Sequence, residues 1–145
     1  DYPYNYMYLP GEKIPFDIGK KFLFNCQTLI SLHDMNKDNG ATAFLESSYK
    51  LKKFPKENAV KKNKFKQITM PSGSLVLFNG LTWHTSLPNY SYNRNRFCLL
   101  GQYLPYFIKP MLDLKHTTKK SVIKNDKTLL KQLLGANLRF PEIKY

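Results

Sequence analysis

Residues 21–34, KFLFNCQTLISLHD, decide the fold class of this chain. The stretch is rich in Phe, Leu, Ile and Thr, which favour β-strands. Its small or polar residues Asn25, Gln27 and Ser31 fall on odd positions, so a strand would place them on one face. A polar row on an otherwise apolar strand is typical of the inside of a barrel that holds a polar ligand.

The β pattern continues to residue 104 in short segments separated by turns. Asn39-Gly40 and Asn79-Gly80 are tight-turn signals, and Pro71-Ser72-Gly73 predicts a further turn. After the first strand, the pattern predicts strands at 41–46, 67–70, 74–78, 81–86 and 96–104. A leucine stripe at helical spacing predicts one helix over 126–134, with Gly135 suited to its end. We therefore expect a mainly β jelly-roll or sandwich with a C-terminal helix.

The formal net charge of the chain is +13, and residues 50–66 alone hold eight lysines against one glutamate. This segment predicts an exposed loop or a ragged helix, because it lacks an amphipathic period. A basic nucleic-acid-binding β-domain is one interpretation of such a charge. The lysines are not interleaved with stacking aromatics, which argues against it. A solvated lysine-rich surface is the preferred interpretation, and an anionic substrate stays open.

Several further sequence features bear on the cellular compartment of the protein. No run of residues reaches the length of a membrane span, and the start, Asp1-Tyr2-Pro3-Tyr4, does not have the pattern of a signal peptide. Cys26 and Cys98 are isolated and are expected to pack as small buried hydrophobes in a reducing compartment. The chain lacks an initiator Met, so we expect a processed chain or a fragment. These features predict a cytoplasmic protein of unspecified oligomeric state.

Three histidines are candidates for chemistry. His116 lies among lysines and threonines, and His33 precedes Asp34, whose expected role is in a turn. His84 differs because it follows a glycine turn and Trp83, and a polar stretch then leads to Arg96 at the head of an apolar strand. Antiparallel strands joined in this way can bring the arginine beside the histidine.

The stretch MPSGSLVLFNGLTWHTSLPNYSYNRNRFCLLGQY, residues 70–103, resembles the C-terminal motif of the phytanoyl-CoA dioxygenase family. The stretch LHDMNKDNGATAFLESSYK, residues 32–50, resembles the Asn-Gly hairpin of the same family. The resemblance implies a double-stranded β-helix, which is a cupin-like jelly-roll barrel. It also implies an Fe(II)- and 2-oxoglutarate-dependent dioxygenase that hydroxylates a small-molecule or acyl substrate and forms succinate.

The resemblance further implies a facial triad of two histidines and one carboxylate on the iron. Asp1 is then the carboxylate, its histidine partner lies two residues upstream of the chain, and His84 is the distal histidine. Ser86 and Arg96 would bind the far carboxylate of 2-oxoglutarate, since arginine offers a bidentate fork. Arg94 is the alternative to Arg96, because the segment after His84 is one residue longer than the family pattern.

The predicted organisation is a barrel core over 1–110, lacking its N-terminal part, and a helical tail of the same domain over 111–145. The chain departs from the family where Glu46-Ser47-Ser48-Tyr49 replaces the usual Pro-Gly-Ser-His. A non-catalytic or truncated barrel that binds a ligand without turnover is therefore the alternative to an enzyme of this class.

Overall fold

The computed structural model describes residues 25–105, 108, 110–124 and 128–136. The chain divides into two compact units, Asp1–Gln102 and Tyr103–Tyr145. The described strands lie in the first unit, apart from the last residue of the final strand. Short helices occupy the second unit.

Six short strands form the β part of the chain. They are β1 Cys26–Ser31, β2 Thr42–Phe44, β3 Lys66–Gln67, β4 Leu75–Asn79, β5 His84–Ser86 and β6 Cys98–Tyr103. All six fall at or beside the predicted strands, but each predicted span is too long, except at 74–78. The first four residues of the span 21–34 lie outside the described residues. The last predicted strand begins two residues later than expected, so Arg96 precedes β6 rather than opening it.

These strands form two antiparallel sheets of three strands, with the orders β4-β1-β6 and β3-β2-β5. Within the described residues the two sheets do not close into a barrel, so the fold is mainly β and the jelly-roll expectation is met only in part. The chain changes sheet between β1 and β2, between β3 and β4, and at each later strand. Consequently β5 pairs with β2, and β6 lies beside β1 in the other sheet. β5 and β6 are therefore not a strand pair, so direct pairing of these strands is not what could bring the arginine beside His84.

Strand register decides which side chains share a face. In the first sheet Gln27 lies opposite Phe78 and Leu29 lies opposite Val76. Directly opposed residues of an antiparallel pair point to the same face of the sheet. Because Leu29 packs with Val76 and Phe78 in the core, the odd-numbered face of β1 is the inner one. The polar row predicted from the sequence therefore faces inward.

The hydrophobic core is small. Its buried centre is Leu29, Met35 and Ala41, and partly buried apolar side chains surround it. These surrounding residues are Met70, Val76, Phe78 and Cys98. The two cysteines are free and half-buried, which agrees with their expected role as small hydrophobes. The core ties β1 and β4 to the turn after β1, where Met35 and Met70 exchange backbone hydrogen bonds of 2.8 and 2.9 Å.

The lysine-rich segment is exposed, as predicted, but it is not a plain loop. A 3₁₀ turn spans Ser48–Leu51, the short helix α1 spans Ala59–Lys62, and β3 ends the segment. Lys66 contacts Glu46 at 2.6 Å, and both side chains are mostly exposed. An exposed pair of this kind contributes little to stability.

The second unit contains α2 Leu114–Thr117, α3 Lys120–Lys124 and α4 Thr128–Leu133. The predicted helix over 126–134 is confirmed by α4 as far as the described residues extend. Gly135 ends it at φ 71°, with Gly135 N–H donating to Gln132 and Ala136 N–H donating to Lys131. This is the Schellman arrangement expected of a C-terminal glycine. Over the described ranges, no helix has the length and apolarity needed to cross a membrane.

Candidate functional site

An aromatic cluster joins the inner faces of the two sheets. Phe44 of β2 and His84 of β5 come from one sheet, and Phe78 of β4 comes from the other. The Phe78 ring centroid lies 4.9 Å from that of Phe44 and 5.1 Å from that of His84. Phe44 and His84 stack at 5.9 Å, because the register places them directly opposite each other. The sequence-predicted metal ligand His84 therefore points into the space between the sheets.

One hydrogen bond fixes the tautomer of His84. Its Nδ1 lies 2.9 Å from the carbonyl oxygen of Thr82, which can only accept. Nδ1 therefore carries the proton, and the lone pair of the neutral ring is on Nε2. Burial lowers the pKa of His84 below its ordinary value of 6.5, and the hydrogen bond to Thr82 opposes this effect. A neutral imidazole held through its other N–H by a backbone carbonyl is the usual form of a metal-ligating histidine.

Ser86 shares the face of β5 that carries His84, because the two residues are two positions apart on one strand. It lies opposite Thr42, which is buried, whereas Ser86 itself is exposed. The inner face of this sheet therefore runs from the buried aromatic cluster at Phe44 and His84 to an open edge at Ser86. A polar ligand that entered at this edge would meet the Ser86 hydroxyl before His84.

The two candidate arginines occupy different places. Arg96 is half-buried and lines a cleft of about 480 Å³ together with Asn39, Asn89 and other residues. Arg94 is exposed and lines a neighbouring cleft of about 650 Å³ that also contains His33 and Asp34. Both arginines precede β6, so neither side chain is oriented by a described strand. His84 is not among the residues that line either cleft.

The loop between β5 and β6, residues 87–97, carries both arginines and is called the arginine loop. It is anchored on the Asn39-Gly40 turn. The N–H groups of Tyr90 and Ser91 donate to the Asp38 carbonyl at 2.8 and 3.0 Å, and Asn39 pairs with Asn89 as a β-bridge. The turn itself is held by Asn36, whose Oδ1 accepts from the Asp38 and Asn39 N–H groups. The turn predicted at Asn39-Gly40 is present, but the expected hairpin is wrong, because β1 and β2 lie in different sheets. The turn instead supports the arginine loop as a platform.

The arginine loop is also braced internally. Asn89 Nδ2 donates to the Arg94 carbonyl at 2.8 Å, and Ser91 Oγ donates to the same oxygen at 3.0 Å. The Asn-x-Ser element that was noted in the sequence only as part of a motif is therefore a turn that shapes the backbone leading to Arg96. This gives a physical reason for Asn and Ser at these positions, since both side chains bond readily to nearby backbone.

Sequence reasoning missed Ser48. Its hydroxyl is buried, donates to the Leu45 carbonyl at 2.6 Å and accepts the Trp83 N–H at 2.8 Å. Ser48 therefore fixes the end of β2 to the residue directly before His84. The signal was present in the Glu46-Ser47-Ser48-Tyr49 stretch, where Ser48 takes the place of the serine in the family's Pro-Gly-Ser-His.

Trp83, the residue before His84, is also connected to the lysine-rich segment, because its indole N–H donates to the Lys53 carbonyl at 3.0 Å.

The other two histidines have local structural contacts. Asp34, beside His33, accepts the Ser72 N–H at 2.7 Å, which is the turn role expected of it. His116 contacts Asp113, the N-cap residue of α2, at 2.7 Å.

Asp1, the predicted carboxylate ligand, lies outside the described residues. Among the residues that the structure does describe, no group of three His, Cys, Asp or Glu side chains could hold a metal ion. The predicted ligand roles of Asp1 and His84 therefore stay predictions.

The described residues form two small antiparallel sheets, and a neutral histidine in an aromatic cluster lies between their inner faces. The family model for phytanoyl-CoA dioxygenase (PhyH) matches residues 22–97, which is just over half of the chain. The chain belongs to this family. The resemblance seen in the sequence is confirmed, and the matched region contains β1 to β5, His84, Ser86 and both arginines. The family is one of oxygenases that generally use Fe(II) and 2-oxoglutarate.

Proposed function

We propose that this chain is part of an Fe(II)- and 2-oxoglutarate-dependent dioxygenase that hydroxylates a small-molecule or acyl substrate and forms succinate. The observation that carries the proposal is His84, which is half-buried between two sheets in a chain of the phytanoyl-CoA dioxygenase family. Its Nδ1–H is bound to Thr82, and its lone pair is on Nε2. Fe(II) binds neutral imidazole, so the side chain has the form that the metal requires.

His84 and Asp1 are the proposed protein ligands of the iron, as part of a triad of two histidines and one carboxylate. When bound, the iron supplies the oxidative chemistry that couples decarboxylation of 2-oxoglutarate to oxidation of a C–H bond. The protein positions the reactants and excludes water. Phe44 and Phe78 serve this second role, because they flank the His84 ring with apolar surface.

Arg96 and Ser86 are the proposed partners of the far carboxylate of 2-oxoglutarate, and Arg94 is the alternative to Arg96. Burial favours Arg96, since a half-buried guanidinium is better shielded from water than an exposed one. The cleft of Arg96 also contains Leu87, which directly follows Ser86 at the end of β5. Ser86 itself does not line this cleft, so its proposed contact with the cosubstrate rests on the family motif.

The repeated change of sheet along the chain supports a double-stranded β-helix as the complete fold. In such a fold two sheets face each other, and the chain crosses between them, as β1 to β6 do here. The small-molecule substrate and the cytoplasmic location stay predictions.

The deciding experiment measures succinate formation from 2-oxoglutarate in the full-length protein with added Fe(II). His84→Ala is expected to abolish it, because the variant removes a metal ligand. Arg96→Ala should raise the KM for 2-oxoglutarate by about 10-fold or more and affect kcat less, since it removes a charge-assisted bond to the cosubstrate. Unchanged turnover in the His84 variant would overturn the proposal.

Matched controls come from residues of the same kind elsewhere in the chain. His116→Ala removes an exposed histidine of α2 and should leave turnover unchanged. Arg94→Ala separates the two arginines. If it raises the KM while Arg96→Ala does not, Arg94 binds the cosubstrate and the assignment of Arg96 is wrong.

A further inference from the structure

Two buried amide side chains on the inner face of β1 lack the hydrogen bonds that buried amides normally make. Asn25 and Gln27 are 3% and 4% exposed. Within the described residues, both polar atoms of the Asn25 side chain and the Nε2 of Gln27 have no hydrogen-bond partner. A buried polar group without a partner destabilises a fold, so natural proteins keep few of them. Two such residues on one strand face suggest that their partner is a ligand.

The third member of the polar row behaves differently. Ser31 is fully buried, and its hydroxyl donates to the Pro71 carbonyl at 2.8 Å and accepts the Ser74 N–H at 3.2 Å. It holds the turn before β4 and so has a structural role. The polar row of β1 is therefore divided into a satisfied end at Ser31 and an unsatisfied end at Asn25 and Gln27.

The unsatisfied end lies on the same inner face as the aromatic cluster of the candidate metal ligand. Gln27 is directly opposite Phe78, whose ring centroid is 5.1 Å from that of His84. Phe78 therefore links the positions of Gln27 and His84 across the inner face. Asn25 lies beside Gly80, where an added Cβ would come within 2.7 Å of the Asn25 side chain. Because Gly80 has no side chain, the Asn25 amide can occupy this part of the inner face.

The unpaired atoms define the chemistry of the missing partner. Asn25 offers one acceptor and a donor group, and Gln27 offers a donor group. Among the described residues of this face, β1 and β4 contribute no cationic side chain, so a carboxylate would lack a counter-charge there. It would also meet the acceptor oxygen of Asn25. A neutral group that both accepts and donates, as a carboxamide does, fits this arrangement better than an anion.

We propose that Asn25, directly before β1, and Gln27 on β1 form a subsite for a neutral carboxamide-like group of the oxidised substrate, with Phe78 between Gln27 and His84. The inference rests on the proposed function, because it assigns the subsite to the substrate of that reaction. In this proposal the two ligands have different binding residues. The arginine loop binds the carboxylate of the cosubstrate, and the two amides bind the neutral group of the substrate.

Protein NMR with acetamide as the probe tests the subsite without iron or 2-oxoglutarate. Acetamide is expected to shift the side-chain amide signals of Asn25 and Gln27 and the backbone amide of Gly80 in a saturable manner. For so small a ligand the Kd should be on the order of 1–100 mM. Acetate at the same concentrations should not shift these signals. Equal shifts with acetate, or no saturable shift with acetamide, would overturn the proposal.

Two variants and one control make the test specific. Gln27→Met and Asn25→Leu keep the approximate side-chain size and should each weaken acetamide binding at least about 10-fold, as read from the Gly80 or Phe78 backbone amide. Thr28→Val is the control. Thr28 is also buried, and its hydroxyl has no partner in the described part of the chain, but it lies on the opposite face of β1. If Thr28→Val weakens binding as much as Gln27→Met, the subsite is not on the inner face.

Thermal unfolding distinguishes a ligand subsite from a structural role. If Gln27 serves a ligand, Gln27→Met removes an unsatisfied buried group and should raise the unfolding midpoint by about 4 °C or more. A lower midpoint would show that Gln27 stabilises the fold itself, and the proposal would fail. The iron-dependent assay of His84→Ala does not depend on this result, so failure of the subsite and failure of the proposed function remain distinguishable.

Discussion

Ser47 has a backbone conformation that usually belongs to glycine. It follows β2 at φ 58°, its side chain is exposed, and no side-chain capping hydrogen bond is formed there. A left-handed conformation costs a non-glycine residue roughly 1–2 kcal/mol, and glycine in turn loses about 0.5–1 kcal/mol of chain entropy. The family's Pro-Gly-Ser-His motif has glycine at this point, so the departure at Ser47 leaves a strained backbone in place.

Ser47→Gly should therefore raise the free energy of unfolding by about 0.5–1 kcal/mol. Urea denaturation followed by circular dichroism measures the change. Ser48→Gly is the contrasting variant, because it removes the hydroxyl that joins Leu45 to Trp83 and should destabilise the chain. A destabilised Ser47→Gly variant would mean that the Ser47 side chain makes a contact that outweighs the strain.

His84 makes the stability of the metal-free protein depend on pH. Its folded-state pKa is lowered by burial, so the unfolded chain binds the proton more readily. Stability is then fully present above the unfolded pKa near 6.5 and is lost as the pH falls from there towards the lowered folded pKa. Denaturation at pH 7.5 and 5.5 should show this loss in the wild type and a smaller loss in His84→Gln. An equal loss in both proteins would assign the effect to other groups.

At the scale of elements, the Asn39-Gly40 turn supports the arginine loop. Gly40 is buried at φ 73°, and an added Cβ would overlap the Leu87 carbonyl oxygen and lie 3.1 Å from Pro88. Gly40→Ala therefore combines backbone strain with displacement of the segment between Ser86 and Arg96. We expect a loss of at least about 2 kcal/mol in stability and a raised KM for 2-oxoglutarate.

Gly73→Ala is the matched control for this prediction. Gly73 has a similar φ of 82°, but no atom lies within 4 Å of the position of its added Cβ. It should lose only about 1–2 kcal/mol through strain and keep the wild-type KM. If both variants raise the KM equally, the platform role of the turn is wrong. Denaturation curves and 2-oxoglutarate titrations of both proteins provide the comparison.

The sequence predicted the existence of the strands better than their lengths or their partners. Alternation at Asn25, Gln27 and Ser31 predicted an inward polar face, because side-chain period is a local property of a strand. Pairing is not local, and the Asn39-Gly40 signal suggested a hairpin, whereas β1 and β2 lie in different sheets. The support of His84 by Ser48 was missed for the same reason, since the two residues are far apart in sequence.

The lysines give the whole molecule a net charge of +13, and they form either a solvated surface or a binding site for anions. Eight of them lie in residues 50–66, on short exposed elements. The Lys53 carbonyl accepts from Trp83, and Lys66 lies opposite Phe44 in the β2–β3 pair, so the segment contacts the site through its backbone. Charges that project into water are screened over about 8 Å at physiological ionic strength. The structure therefore favours a solvated surface over a charged binding site for this segment.

Replacement of Lys61, Lys62 and Lys64 by glutamine tests this interpretation. These three residues lie on or beside α1 and are exposed, so their loss should change stability by less than about 0.5 kcal/mol. Turnover of 2-oxoglutarate and its dependence on salt should also stay at wild-type values, because the inner face between the sheets is unaltered. A higher substrate KM in the variant, with a weaker salt dependence than the wild type, would instead show that the lysines attract an anionic substrate. The charge of the molecule would then belong to its function, and the substrate would need an anionic part outside the sheets in addition to the neutral group proposed at Asn25 and Gln27.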